Sequence, residues 1–185
     1  MNPWRPAEVE TFARNPYENR LHEVKGAISW DTICFRGDRL RDIAAIANSG
    51  GGILLIGRDS PSFKSGSISA PDLKSYDITN VATVIRRFIE PVISVDVYSF
   101  TIGGDQLIAL DIPTITRSPA IITQAFSCSD ATHKAHFLPG DVFVRTPAGQ
   151  TQKLSSNHEM NDLFERVVDF RITEIRQRYL QLGGR

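Results

Sequence analysis

Only two cysteines occur in the 185 residues, Cys34 and Cys128, too few to build a disulfide framework. No apolar run approaches the length of about 20 residues that a membrane-spanning helix needs. The first residues, Met1-Asn2-Pro3-Trp4-Arg5-Pro6, carry neither the charged nor the apolar region of a signal peptide. Together these absences predict a soluble, cytoplasmic protein. Charge of one sign is missing too, because 21 basic residues face 21 acidic ones and the formal charge is zero. That speaks against a purely electrostatic nucleic-acid binder, for which a pI above about 9 is usual. It leaves room for local patches, including carboxylates that hold metal ions beside arginines. What the chain does have is a hydrophobic fraction of 41%, enough for the core of one domain with terminal extensions.

The clearest signal is Asn48-Ser49-Gly50-Gly51-Gly52-Ile53-Leu54-Leu55-Ile56-Gly57. Leu40, Ile43, Ala44 and Ala47 precede it at helical spacing. Asn48 and the glycines end that helix, since Gly enters the left-handed region cheaply. Ile53 to Ile56 then reads as a strand covered on both faces. A phosphate-binding loop fits poorly here. The Walker pattern needs Lys and Ser or Thr after its last Gly, where Ile53 and Leu54 stand. The Rossmann order is strand, glycines, helix, whereas these glycines follow a helix C-terminus, whose dipole repels anions.

Along the chain, residues 1–16 form an N-terminal extension with a short helix from Ala7 to Arg14, expected to pack loosely. A strand is expected from Leu21, with Leu21, Glu23 and Lys25 on one side, and then a weak strand or loop to Arg36. Gly37-Asp38 offers an N-cap for a helix over 39–48. Residues 60–77 read as a long surface loop. A helix capped by Thr79 or Asp77 buries Val81, Val84, Ile85 and Phe88 and ends before Pro91. Strands follow over 92–100 and 106–112 around a Gly103-Gly104-Asp105 hairpin, then over 120–126 and 141–145. Asn157 caps a helix running to about Leu182, within a segment 156–185. Its Val168, Ile172, Ile175, Tyr179 and Leu182 repeat four-three-four-three, the spacing of a coiled-coil seam. The seam packs either on its own domain or against a second copy in a homodimer. The order implies an α+β domain over 17–155, a mixed β-sheet flanked by helices.

Glu18, Glu23 and Asp59 are the carboxylates that stand out, with Lys25 two residues past Glu23. Carboxylates grouped with a lysine suit metal-assisted phosphodiester cleavage, because hard oxygens hold Mg²⁺ or Mn²⁺ and a cation offsets developing charge. Equally, they could be ordinary surface acids. Lys25, Arg36, Arg39, Arg41, Arg58 and Arg145 are the candidate phosphate contacts, guanidinium groups pairing bidentately with phosphate. Tyr17 and Trp30 would either stack on bases or join the core. Cys128, His133 and His136 supply three ligands where zinc wants four, so a polar loop is expected there.

The run Glu18-Asn19-Arg20-Leu21-His22-Glu23-Val24-Lys25, and then Ile43-Ala44-Ala45-Ile46-Ala47-Asn48 through Asp59, resembles the Schlafen AlbA_2 domain. That family's pattern is Glu-Ser-x-x-x-Glu-Phe-Lys, a helix ending Ala-Phe-Ala-Asn-x-x-Gly-Gly, and a strand ending Gly-x-Asp. Pro91-Val92, Ile112-Pro113, Pro119 and Phe143-Val144-Arg145 are similar to its second half. The resemblance implies an α+β fold and nucleic-acid binding. In Schlafen proteins the two Glu and the Asp form an RNA endonuclease site dependent on divalent cations, which maps here to Glu18, Glu23 and Asp59. Asn19 in place of Ser, Val24 in place of Phe, and the Arg58-Asp59-Ser60-Pro61 run depart from the pattern. Three functions follow: a nucleic-acid-binding domain, a Mg²⁺- or Mn²⁺-dependent endonuclease, and a dimeric regulatory protein with a degenerate site.

Overall fold

The computed structural model describes residues 5–59, 62–64, 66–130 and 134–183, the side chains of 182 and 183 excepted. Ile53-Leu54-Leu55-Ile56 carries no polar side chain, so as a strand it demands cover on both faces. The chain meets that demand with a layer of helix on each side of one sheet. In chain order, α1 (Arg5–Arg14) precedes β1 (His22–Lys25), and α2 (Ile33–Asn48) crosses over to β2 (Gly52–Ile56). Next come α3 (Ala70–Ser75), α4 (Ile78–Phe88), β3 (Ile89–Glu90), β4 (Asp96–Ile102) and β5 (Asp105–Ile112). The sheet order is β1-β2-β5-β4. β1 runs parallel to β2, and the other pairs are antiparallel, so the sheet is mixed.

Every residue of β2 is buried. Leu54 and Ile56 join Leu40, Ile43, Ala44 and Ala47 of α2 and Val81 and Ile85 of α4 in the larger core. Ile53 and Leu55 point the other way, onto Val9, Phe12 and Ala13 of α1. Helix α1 was expected to pack loosely, yet those three side chains are buried. Without α1 the second face of β2 would stand in water, and each large apolar side chain buried there contributes about 1.5–3 kcal/mol.

The rest is built from short ladders. β3 pairs with β6 (Ile121–Ile122), β7 (Phe126–Ser129) with β8 (Lys134–Phe137), and β9 (Phe143–Arg145) with β10 (Thr151–Lys153). The chain closes with α5 (Asn157–Gly183).

Several expectations are corrected. Helix α2 begins at Ile33 with Thr32 at its cap position, so Gly37 and Asp38 lie inside it. Gly37 marks a close approach rather than a helix start, because a Cβ there would meet the Phe126 ring and the Ala135 methyl. The loop over 60–77 contains α3, capped by Ser69 with Pro71 in its first turn. The strand expected over 92–100 is β4, shifted to 96–102. The strand over 120–126 divides into β6 and β7. Asn157 does not cap α5. Ser156 does, in a capping box: its Oγ accepts from Glu159 N at 3.2 Å, and Glu159 accepts from Ser156 N at 3.1 Å. Cys34 and Cys128, expected to build no framework, are bonded to each other, tying α2 to β7. Asp77 caps α4 as expected, and the Gly103-Gly104 hairpin joins β4 to β5.

Candidate functional site

The apolar stripe of α2 leaves Asp38, Arg39, Arg41 and Asp42 along one flank, where residues three apart are neighbours. Arg39 Nη2 lies 3.2 Å from Asp42 Oδ2, and Arg41 pairs with Asp38. The Arg39 guanidinium also sits 4.9 Å from the centre of the Phe35 ring, a cation–π contact that lowers the cost of its burial. β1 supplies the opposite wall. Glu23 and Lys25, two apart on a strand, share the face turned to α2 and form an ion pair.

Arg145, at the end of β9, joins the walls. Its side chain is 1% exposed and pairs with Glu23. Its Nη2 donates to the carbonyls of Asn19 (3.2 Å) and His22 (3.4 Å), and Nη1 donates to Thr151 Oγ1 (3.1 Å). Thr151 Oγ1 in turn donates to Asp42 Oδ1 at 2.6 Å. The result is a cleft of about 500 Å³ lined by Glu18, Glu23, Asp38 and Asp42 against Lys25, Arg39, Arg41 and Arg145, and closed by the turn over 148–151. Acids and bases balance. Burial pushes the Glu23 carboxyl up and the Asp42 charge adds to this, against Lys25 and Arg145. Burial pushes Asp42 up as well, but Arg39, Lys25, the Thr151 hydrogen bond and Arg145 outweigh it and hold that carboxyl below its ordinary range.

Of the residues singled out in the sequence, Glu18, Glu23, Lys25, Arg39, Arg41 and Arg145 line this cleft, and Arg36, Arg58 and Asp59 do not. Arg58 pairs with Asp105 beside the β4–β5 hairpin. Asp59 is exposed beyond the end of β2, where its Oδ1 would stand 3.3 Å from a Cβ at Gly26. Glu18 Oε1 accepts from Val24 N at 3.4 Å. Among the described residues no group of three or more His, Cys, Asp and Glu could hold a metal ion. Glu23 has cations on both oxygens, and Asp42 has Thr151 on one and Arg39 on the other. This arrangement does not fit a divalent cation.

Trp30 is fully buried in the core and Tyr17 packs on Phe12 and His22, so neither faces the cleft. Cys128 is taken by its disulfide, and His133 lies outside the described residues. Asp38, Asp42 and Thr151 are cleft residues that sequence reasoning missed. The two Asp carried a signal, since they alternate with arginines at three-residue spacing beside an apolar stripe. Thr151 carried none.

The glycine turn places β1 and β2 side by side at this site. Gly51 has φ +79°, and a Cβ there would fall 2.7 Å from the Thr114 nitrogen. At Gly52 it would fall 1.8 Å from the Leu21 carbonyl oxygen, so no side chain fits between the strands. Asn48, fully buried, donates to the carbonyls of Ala120 (3.0 Å) and Phe143 (2.8 Å) and accepts from Ala120 N (2.7 Å). Ser49 Oγ accepts from Arg145 N at 2.9 Å. The end of α2 thereby holds β9, and with it Arg145, against the cleft.

Comparison with curated proteins found no match. Among solved structures, the chain is similar to a Corynebacterium diphtheriae protein known from its crystal structure, with TM-score 0.51 and 15% identity over 80% of this chain. It spans 26% of that protein. It is also similar to the N-terminal domain of a RecG-related ATP-dependent DNA helicase protein from Nitrosomonas europaea, with TM-score 0.45 and 18% identity, covering 81% of this chain and 93% of that one. The first likeness supports the α+β fold alone. The family model described as "Schlafen, AlbA_2" matches residues 18–155, and the chain belongs to the Schlafen AlbA_2 family.

Proposed function

We propose that the chain binds nucleic acid at the charged cleft, with the strand's phosphates on Lys25 and Arg41 at the rim and Arg39 behind them. One observation carries this reading. Lys25 and Arg41 stay about 30% exposed although each is ion-paired, while Arg39 keeps Nε and Nη1 buried without hydrogen-bond partners. Donors held rigidly and left unsatisfied suit phosphate oxygens. Cleavage asks more of the site than binding does, because Glu23 already carries Lys25 and Arg145 on its two oxygens. Binding is therefore the reading the chemistry favours.

The test is fluorescence anisotropy with single-stranded RNA and DNA, with and without Mn²⁺. Two phosphate contacts at a slope of about −0.7 each, the value for single strands, predict a roughly sevenfold loss of affinity for a fourfold rise in salt. Arg41→Gln should remove about half of that slope. Affinity indifferent to salt would sink the reading. Cleavage in Mn²⁺ that Glu23→Gln abolishes would replace it with a cation-dependent endonuclease.

A second copy of the chain is a further partner. Phe164, Val168, Ile172, Ile175 and Tyr179 are all at least 41% exposed along α5, and from Val168 onward they keep seam spacing, which supports helix pairing in a homodimer.

A further inference from the structure

Asn19 and the turn beginning at Thr146 separate the cleft from a second cavity of about 610 Å³, whose lining includes Arg20, Gly50, Arg166, Asp169 and Phe170. Arg20 comes from the segment before β1 and Arg166 from α5, so two distant elements bring two cations to one place. The Nε of each is buried without a hydrogen-bond partner. Arg39, Arg41, Arg58 and Arg145 share that feature, but each has a carboxylate against its terminal nitrogens. Arg20 and Arg166 have no carboxylate within 4.0 Å among the described residues. Burial lowers the Arg166 pKa, the Arg20 charge lowers it further, and Asp162 opposes both. Two guanidinium groups lining one cavity, each with its Nε buried and no carboxylate within 4.0 Å among the described residues, are an unusual arrangement, because like charges repel and buried donors without acceptors are costly. An oxyanion relieves both, accepting from the two forks at once. Asp169, exposed at the edge, faces the same cavity and sets a limit on the negative charge it takes. Phe170, half-buried and close to Gly50, adds an apolar wall.

We propose that Arg20 and Arg166 together form a phosphate-binding site, a second contact for the nucleic-acid strand that occupies the cleft. The strand part rests on the function proposed above. The phosphate site itself stands on its own cavity. It adds α5, outside the region that the family model matches, to the binding surface.

The experiment titrates the full chain first with inorganic phosphate, following amide and arginine side-chain NMR shifts, and then with a single-stranded oligonucleotide. Arg20→Gln, Arg166→Gln and Arg41→Gln are compared with the wild type. Without phosphate, the first two variants should melt no lower than the wild type, since each removes a repulsion, which separates lost binding from lost folding. Phosphate should shift Arg20, Arg166 and Gly50 in the wild type and in Arg41→Gln, and leave Arg20→Gln and Arg166→Gln unmoved. Oligonucleotide affinity should fall about tenfold in each of those two. No phosphate shift in the wild type, or one that survives both substitutions, overturns the site. Phosphate binding lost in both variants while oligonucleotide affinity is unchanged overturns the strand contact and leaves a site for free phosphate. Oligonucleotide affinity that falls in Arg20→Gln but not in Arg41→Gln upholds this site and removes the cleft reading instead.

Discussion

Asn48 is worth more to this protein than its place at a helix end suggests. Its amide satisfies two carbonyls and one N–H from segments 72 and 95 residues away. Asn48→Ala would leave those groups buried and unpaired, at a cost of about 3 kcal/mol, and urea unfolding should show that loss as a lower midpoint. Arg145 is read in sequence as a phosphate contact, yet it lies 1% exposed with its charge balanced inside by Glu23. Removing Glu23 strands that charge, so Glu23→Ala should destabilise by about 3–5 kcal/mol, whereas Glu23→Gln keeps a hydrogen-bonding group and should lose less. A Glu23→Gln variant as stable as the wild type would show that the Glu23 charge does not matter, whereas equal losses in the two variants would assign the whole effect to that charge. His22 gives a pH signature. Burial, then the nearby Arg5 charge, holds its imidazole below the ordinary value of about 6.5. A neutral His in the fold means that the unfolded chain takes up its proton first. This contribution is therefore complete above about pH 6.5 and shrinks as pH falls towards the lower folded pKa. The gap in stability between wild type and His22→Gln should narrow between pH 7.5 and 5.5; a gap independent of pH would exclude the effect.

Among the elements, the glycine turn is the least forgiving. Gly52→Ala places a methyl on the Leu21 carbonyl, where backbone must move, so soluble expression and circular dichroism should reveal a misfolded chain. Gly103 and Gly104 meet nothing within 4 Å, and alanine there should cost only the strain of a positive φ. The disulfide closes a loop of 94 residues. In the chain-entropy account such closure contributes on the order of 4 kcal/mol, and measured values are commonly 2–4, so reductant should lower the melting temperature. Helix α5 buries Leu163 and Val167 near its start and exposes Ile172, Ile175 and Tyr179 further on. Light scattering should find a dimer that Ile172→Glu with Ile175→Glu converts to monomer, with no change in helix content.

At the scale of the whole molecule, one sheet between two helical layers explains why a neutral chain can hold a charged cleft. The cleft's acids and bases are paired across β1, α2 and β9, which cancels their fields at a distance while keeping the rim cations in place. Much of this was legible in the sequence. The apolar run Ile53–Ile56 required a strand covered twice, the helix before it showed its stripe, and Glu23 and Lys25 could be marked as neighbours because strand alternation is local. What remained hidden depended on pairs far apart in the chain. Nothing in the local sequence says that Arg145 meets Glu23, that Thr151 meets Asp42, or that Cys34 meets Cys128. The same holds for Arg20 and Arg166, whose meeting fixes the second cavity. Periodicity and turn chemistry act over a few residues, so the amino-acid sequence determined by itself the helix–glycine turn–strand unit through β2, the α4 helix, the β4–β5 hairpin and which of their faces are apolar. Which charges would neutralise one another, and which arginines would lack a nearby carboxylate among the described residues, only the packing of α2, β9 and α5 around the sheet decided, because ion pairing depends on distance in space.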